Sequence, residues 1–452
     1  MLADVLRSSP AGLDEALALV DGIDTALVHG LTRLDDDRAA ALESVAAAFT
    51  GTPLADRVTD SIGKIVAGTV TDEHLVVLAG ARVALLGAAH DALLGGVDTA
   101  LGRSREPWSA PVAGRAGLTG AGSRSWLREL AIAGWRGVDH ELAAGAAQAI
   151  QALLDVPAAR RLAVLLDGFA AELRTAAPVA TRSWIPVRRW ADLWTRALIL
   201  AQDDYPVPGT EPVDGRLLIL GVDLHEHPTV FRAQAHGLLE TAAGVRLVRT
   251  SVAAAKVDTI SGPSAWRMLT AFQVFRSAVA EHRSVEVTGM LLTPAGDLIW
   301  DESRAVVSEP ADPFTTARVL LGTATAPSAL PLDRHPSVIA EPVLLEGYTA
   351  GEESLDLGGV TVAVDMERVP EAGPLTPALV AASTACLGLL RWDGGWSVQP
   401  LAVQATVKRK AVAVHTGDWA LGPTEAKAAK AEAAAGTAVD VLRERAGRLL
   451  RK

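Results

Sequence analysis

The residues best suited to chemistry in this chain are Asp223, His225 and His227, in the run Asp223-Leu-His-Glu-His227. On a strand, alternate side chains share a face. One carboxylate and two imidazoles would then offer oxygen and nitrogen donors to a divalent cation. That chemistry suits a metal-dependent hydrolase. The competing expectation is a strand end turning into solvent before Pro228, because His-x-His is short and degenerate. No neighbouring His/Asp cluster completes a metallo-hydrolase pattern, so no cofactor and no catalytic residue is expected.

Other motifs are weaker. Ser61-Ile-Gly-Lys64 has the Ser-x-x-Lys spacing of penicillin-recognising enzymes, but the Lys-Thr-Gly partner is missing. Gly117-Leu-Thr-Gly120-Ala-Gly122-Ser123 precedes a predicted helix, where backbone N–H groups can hold a phosphate. It lacks the P-loop lysine and an apolar strand leading in, so a flexible linker capped by Ser123 or Ser125 is expected. The single cysteine, Cys386, excludes an internal disulfide and any multi-cysteine metal site. Its apolar neighbours predict a buried structural thiol.

Residues 182–196 concentrate three tryptophans and four arginines. Trp with Arg is the composition of protein-interface hot spots. Trp184, Arg188, Arg189, Trp190, Trp194 and Arg196 are therefore candidate partner contacts. The same residues suit stacking on single-stranded bases. The alternative is that Trp190 and Trp194, four apart, pack into a core while the arginines snorkel to solvent.

These groups need elements to position them. At 452 residues the chain has room for about two to four domains with sizeable cores. Up to residue 205, Ala/Leu-rich helical periods dominate: Leu13, Leu17, Val20, Leu27, Leu31 and Leu34 share one face, as do Leu162, Leu165, Leu166, Phe169 and Leu173. After the turn-rich run Pro206–Gly215, β-branched runs and hairpin signals take over. The clearest hairpin is Leu387–Trp392, Asp393-Gly394-Gly395, Trp396–Val403. Val285–Leu292 and Leu298–Trp300 flank a second turn, Lys408-Arg409-Lys410 reads as strand, and Pro263 starts a helix reaching Val279. The predicted fold is α+β, with an all-helical N-terminal half, a mixed α/β C-terminal half with antiparallel hairpins, and a C-terminal helix. The predicted boundaries are a helical domain at 1–100, a linker at 101–122, a second helical block at 123–205, a linker at 206–215, a mixed α/β domain at 216–420, and a C-terminal helix at 421–452. That last helix carries a narrow seam, Ala438, Leu442, Ala446 and Leu449, expected to pack either on this chain or on a partner, with Leu442 and Leu449 as partner-binding candidates.

A net charge of −11 disfavours a general nucleic-acid binder. The charge is uneven: residues 1–100 hold 15 acids and 6 bases, whereas residues 408–452 hold 10 bases and 5 acids. The apolar stretch around 74–96 is interrupted by Arg82, His90 and Asp91, which argues against a membrane span. The start, Met-Leu-Ala-Asp-Val-Leu-Arg, has an acid where a secretory signal carries a basic flank, so a cytoplasmic location is expected.

Two segments, Ile185-Pro-Val-Arg-Arg-Trp-Ala-Asp-Leu-Trp194 and Leu389-Leu-Arg-Trp-Asp-Gly-Gly-Trp-Ser-Val-Gln-Pro-Leu401, resemble an uncharacterised group of actinobacterial proteins. The Ala/Arg/Gly bias of the chain resembles a GC-rich bacterial source too. That group is associated with gene clusters encoding a MoxR-type AAA+ ATPase, a von Willebrand factor A protein and a SWIM zinc-finger protein. The resemblance implies a companion component of an ATPase system and supplies no catalytic residues. The expected function is a non-catalytic cytoplasmic scaffold or adaptor binding partner proteins. The alternatives are the metal-dependent hydrolase and a single-stranded nucleic-acid binder.

Overall fold

A computed structural model describes residues 2–109, 120–202, 209–424 and 426–449. Its N-terminal half contains, among the described residues, helices α1 (Leu2–Arg7), α2 (Leu13–His29), α3 (Asp36–Ala48), α4 (Ala55–Val66), α5 (Asp72–Leu101), α6 (Ala121–Ala133), α7 (His140–Ala144), α8 (Ala146–Leu154), α9 (Arg160–Ala176) and α10 (Val187–Leu200). Local chemistry sets the boundaries. The Asp35 and Thr71 side chains accept backbone N–H bonds at the starts of α3 and α5. Gly30 ends α2 and Gly102 ends α5, both at positive φ. The periodic leucines face inward as their spacing predicts: Leu162, Leu166, Phe169 and Leu173 are all buried on α9.

Helices from both predicted helical blocks share one hydrophobic core, from Ile23 on α2 to Trp194 on α10. The stretch 101–122 therefore does not divide two cores, and residues 110–119 lie outside the described ones. Helix α5 joins the halves. Leu75, Leu78 and Ala79 belong to the helical core, whereas Leu93 and Leu94 pack with Ile339 and Trp392, and Val97 with Val343 and Cys386. By length and composition α5 is apolar enough to cross a membrane, but half of its most apolar window is buried inside the protein. The charges expected to interrupt it are used internally. Arg82 is 1% exposed, donating to Asp24 from Nε at 2.6 Å and to Asp192 from Nη1 at 2.6 Å.

Among the described residues, the C-terminal half holds two sheets. In the first, β1 (Glu211–Glu226), β2 (Val230–Thr241), β3 (Gly244–Ala255), β4 (Arg283–Leu292), β5 (Asp297–Ile299) and β6 (Ala305–Pro310) run in the order β1-β2-β3-β5-β4-β6. Strand β1 also pairs with β4, so five strands make a closed circuit. Alternation then divides β1 and β2. Val222, Leu224, Phe231, Ala233 and Ala235 enter the core, and Asp223, His225, Arg232, Gln234 and His236 occupy the other face. In the second sheet, β7 (Glu341–Glu346), β8 (Thr349–Ala350), β9 (Ser354–Asp356), β10 (Thr361–Val364), β11 (Ser383–Trp392) and β12 (Trp396–Val407) run in the order β7-β11-β12-β10-β9-β8, and β13 (Lys410–His415) pairs with β12.

The predicted hairpins are present. Trp392 faces Trp396 across the turn, where Gly394 has φ 71°. Leu291 and Leu292 pair with Ile299 and Leu298 across the second turn. Three details differ from expectation, and a fourth falls on one of the two alternatives for the C-terminal helix. Strand β1 begins at Glu211, inside the predicted linker 206–215, because those residues pair with β4. Lys408 and Arg409 form a two-residue turn at φ 51° and 66°, and only Lys410 joins a strand. The predicted helix from Pro263 divides into a 3₁₀ helix, Gly262–Leu269, and α11 (Gln273–Ala280). The C-terminal helix, Ala426–Leu449, docks on its own chain: Leu442 packs against Ile260 and Met268, and Arg267 Nη2 lies 2.6 Å from Asp440 Oδ1. The side chains of Ala438, Ala446 and Leu449 lie outside the described ones.

Candidate binding cleft

A cleft of about 1310 Å³ lies between the helical half and the sheets. Its floor is the polar face of β1, β2 and β3; its helical side is the segment around α10. Among the described residues, nine arginines and six carboxylates line it. In a chain of net charge −11 that is a local reversal of sign.

The floor is held by a network spanning both sheets. Asp223 on β1 is 4% exposed; Arg391 Nη2 donates to its Oδ2 at 2.9 Å and Gln399 Nε2 to its Oδ1 at 2.7 Å. His225 Nε2 lies 3.1 Å from Oδ2. Burial pushes the Asp223 carboxyl up, but the bond from His225, the cationic surroundings and Gln399 outweigh it and hold the group below the usual carboxylate range. Beside it, burial pushes the His236 imidazole down to about 4, so the ring is neutral near pH 7. His236 Nε2 has no hydrogen-bond partner among the described residues.

One wall is a strap from the stretch predicted to be a linker. Arg103 Nη1 reaches Glu341 Oε2 at 2.9 Å, and Arg105 Nη2 reaches the same oxygen at 3.1 Å. Burial raises the Glu341 carboxyl, and the two guanidiniums more than reverse that. Glu106 N–H donates to the Ala326 carbonyl, and Arg105 bridges to Ala326.

The predicted site residues separate into groups. Asp223 and His225 share a face, but His227 lies beyond the end of β1 and is exposed. Among the described residues no three His, Cys, Asp or Glu side chains are grouped to hold a metal. The proposed metal triad is not assembled, because the strand ends before its third member and Asp223 is committed to Arg391 and Gln399. Trp190 and Trp194, at 1% and 0% exposure, are core residues and not surface contacts. Their indole N–H groups donate to Glu172 and to the Leu127 carbonyl. Trp184, by contrast, is 75% exposed on the cleft rim. Arg188, Arg189 and Arg196 also line the cleft, held by Asp393 at 3.6 Å, Glu172 at 2.5 Å and Asp333 at 3.1 Å. Leu442 is occupied by its own chain.

A second constellation in the cleft resembles a nucleophile, base and acid. Ser337 Oγ is 2.8 Å from His335 Nδ1, and His335 Nε2 is 3.5 Å from Asp192 Oδ2. Its geometry is that of a turn cap. The same Nδ1 already accepts the Ser337 backbone N–H at 3.1 Å, opening the 3₁₀ helix Pro336–Val338. Asp192 is engaged by Arg82. A general base needs a lone pair free for the nucleophile's proton, and here the backbone shares it.

Sequence reasoning missed Arg105, Arg232, Arg249, His236 and Glu341. One signal was present: Arg232-x-Gln234-x-His236 and Arg249-x-Ser251 alternate polar residues with core residues on strands. Comparison with family models, curated proteins and solved structures finds no match.

Proposed function

We propose that this chain is a non-catalytic scaffold or adaptor that holds an extended segment of a partner protein in the cleft between its helical half and its sheets. The cleft itself carries the reading: at about 1310 Å³ it exceeds the roughly 300–1,000 Å³ of small-molecule sites. Trp184 at the rim offers a large, solvent-facing apolar surface beside Arg188, the pairing typical of interface anchors. Carboxylates are interleaved with the arginines. A nucleic-acid strand with uniform phosphates would be repelled by Asp297, Asp333 and Asp393, whereas a peptide of mixed charge would not. The resemblance to actinobacterial companions of a MoxR-type AAA+ ATPase suggests that ATPase or its von Willebrand factor A protein as the partner, in the cytoplasm.

The test is a photo-crosslinking amino acid at position 184, with the same group at Val164 as a control, since Val164 is 69% exposed and does not line the cleft. Position 184 is expected to give a discrete protein adduct that Arg188→Glu with Arg196→Glu abolishes. Equal adducts from both positions, or adducts to nucleic acid alone, would refute the reading.

A further inference from the structure

We infer that the cleft floor is an oxyanion-binding subsite, formed by Arg232, Arg391 and His236, which takes a carboxylate or phosphoryl group. It rests on reading the cleft as a binding site and names the group received there. The placement follows from strand register. Arg232 lies opposite His225, Gln234 opposite Asp223, and His236 opposite Gly221. The three β2 residues therefore share the face on which Asp223 meets Arg391.

Three observations make this face receptive to an anion. Arg232 is exposed to the cleft and, among the described residues, has only neutral partners: Ser251 Oγ, 3.0 Å from Nη2, and the Gln234 side-chain carbonyl. Its charge is unneutralised, unlike that of Arg249, which Asp297 holds at 2.5 Å. His236 is 4% exposed, yet its Nε2 lacks a partner there, an arrangement rare for a buried polar atom. A ligand oxygen accepting from this nitrogen would satisfy it. Arg391 spends Nε on Gln399 and Nη2 on Asp223, leaving Nη1 without a hydrogen bond among the described residues. Asp223 does not repel the ligand strongly, since Arg391, Gln399 and His225 already surround its oxygens. Guanidinium groups with the neutral imidazole N–H of His236 beside them match the planar carboxylate and the phosphoryl group alike.

The experiment uses the full chain and follows its melting temperature against inorganic phosphate and, separately, acetate, with sodium chloride holding ionic strength constant. An anion that binds only the folded chain raises the melting temperature saturably. A saturable rise is expected with at least one anion; the stronger of the two identifies the group as phosphoryl or carboxylate. Arg232→Gln, at an exposed position with neutral partners, is expected to preserve the fold and weaken the apparent affinity at least tenfold. His236→Leu is expected to weaken it as well. No saturable rise with either anion, or an unchanged rise in Arg232→Gln, would overturn the subsite. If anion binding fails while the adduct from position 184 persists, the subsite falls and the partner cleft stands. If anions bind and the adduct is absent, the reverse holds.

Discussion

Arg391 Nη2 lies 2.9 Å from Asp223 Oδ2, a contact between residues 168 apart that ties the second sheet to the first. Removing Arg391 takes from the buried Asp223 carboxylate its one permanently charged partner and leaves it only His225 and Gln399. Arg391→Gln is expected to destabilise the protein by about 3–5 kcal/mol. Adding Asp223→Asn should restore a good part of the loss, because no buried charge then remains. Urea unfolding of both variants checks this; a double variant no more stable than Arg391→Gln would contradict it.

The tryptophans of the 182–196 segment should separate by stability. Trp194→Ala empties a fully buried site and should cost about 3–5 kcal/mol. Trp184→Ala, at 75% exposure, should lie within about 0.5 kcal/mol of the parent. Thermal unfolding distinguishes them.

The C-terminal helix should contribute to the stability of its own chain. Deleting residues 423–452 uncovers Ile260 and Met268 and removes the Arg267–Asp440 pair. The melting temperature should fall. Leu442→Asp should lower stability by about 1–3 kcal/mol by placing a charge against the same apolar residues. A melting temperature unchanged in both variants would argue against this docking.

Burial pushes the His415 imidazole down from 6.5 to about 4, helped by neighbouring His282 and opposed by Asp418 and Asp312. A depressed folded value means that the unfolded chain binds the proton more readily. This contribution is therefore fully present above about pH 6.5 and declines as pH falls towards 4, by about 1.4 kcal/mol per pH unit. His415→Asn should flatten the decline measured by denaturant titration across that window, and an unchanged slope would count against it.

Gly394, at φ 71° with open space where a Cβ would project, allows the turn between β11 and β12. Gly394→Val should cost about 1–3 kcal/mol through backbone strain alone. Unfolding by urea measures it, and Gly395→Ala, at an ordinary φ, should cost less.

Local chemistry made much of the fold readable. Helical periods, Pro and Gly signals, and the Trp392–Trp396 hairpin all depend on near neighbours. The turn at Lys408 and Arg409 was not readable, because neither residue is a type that favours positive φ. The cleft was readable only in part. Trp184, Arg188, Arg196, Asp223 and His225 stood out by composition, but nothing in the sequence separates the exposed Trp184 from the core Trp190 and Trp194 except the four-residue spacing of the latter pair. Arg105, His236, Arg391 and Glu341 come from four distant segments, and only the packing of the sheets against α5 and α10 brings them together.

Helix α5 is divided between two partners that are made at different times. Its first turns pack on α2, α4 and α10, within the first 200 residues. Its last turns rest on Ile339, Val343 and Trp392, which leave the ribosome much later. During synthesis the finished helical half carries a bare apolar end, and only arrival of the second sheet covers it. Limited proteolysis of stalled nascent chains should show the last turns of α5 cut readily until the strand carrying Trp392 has emerged.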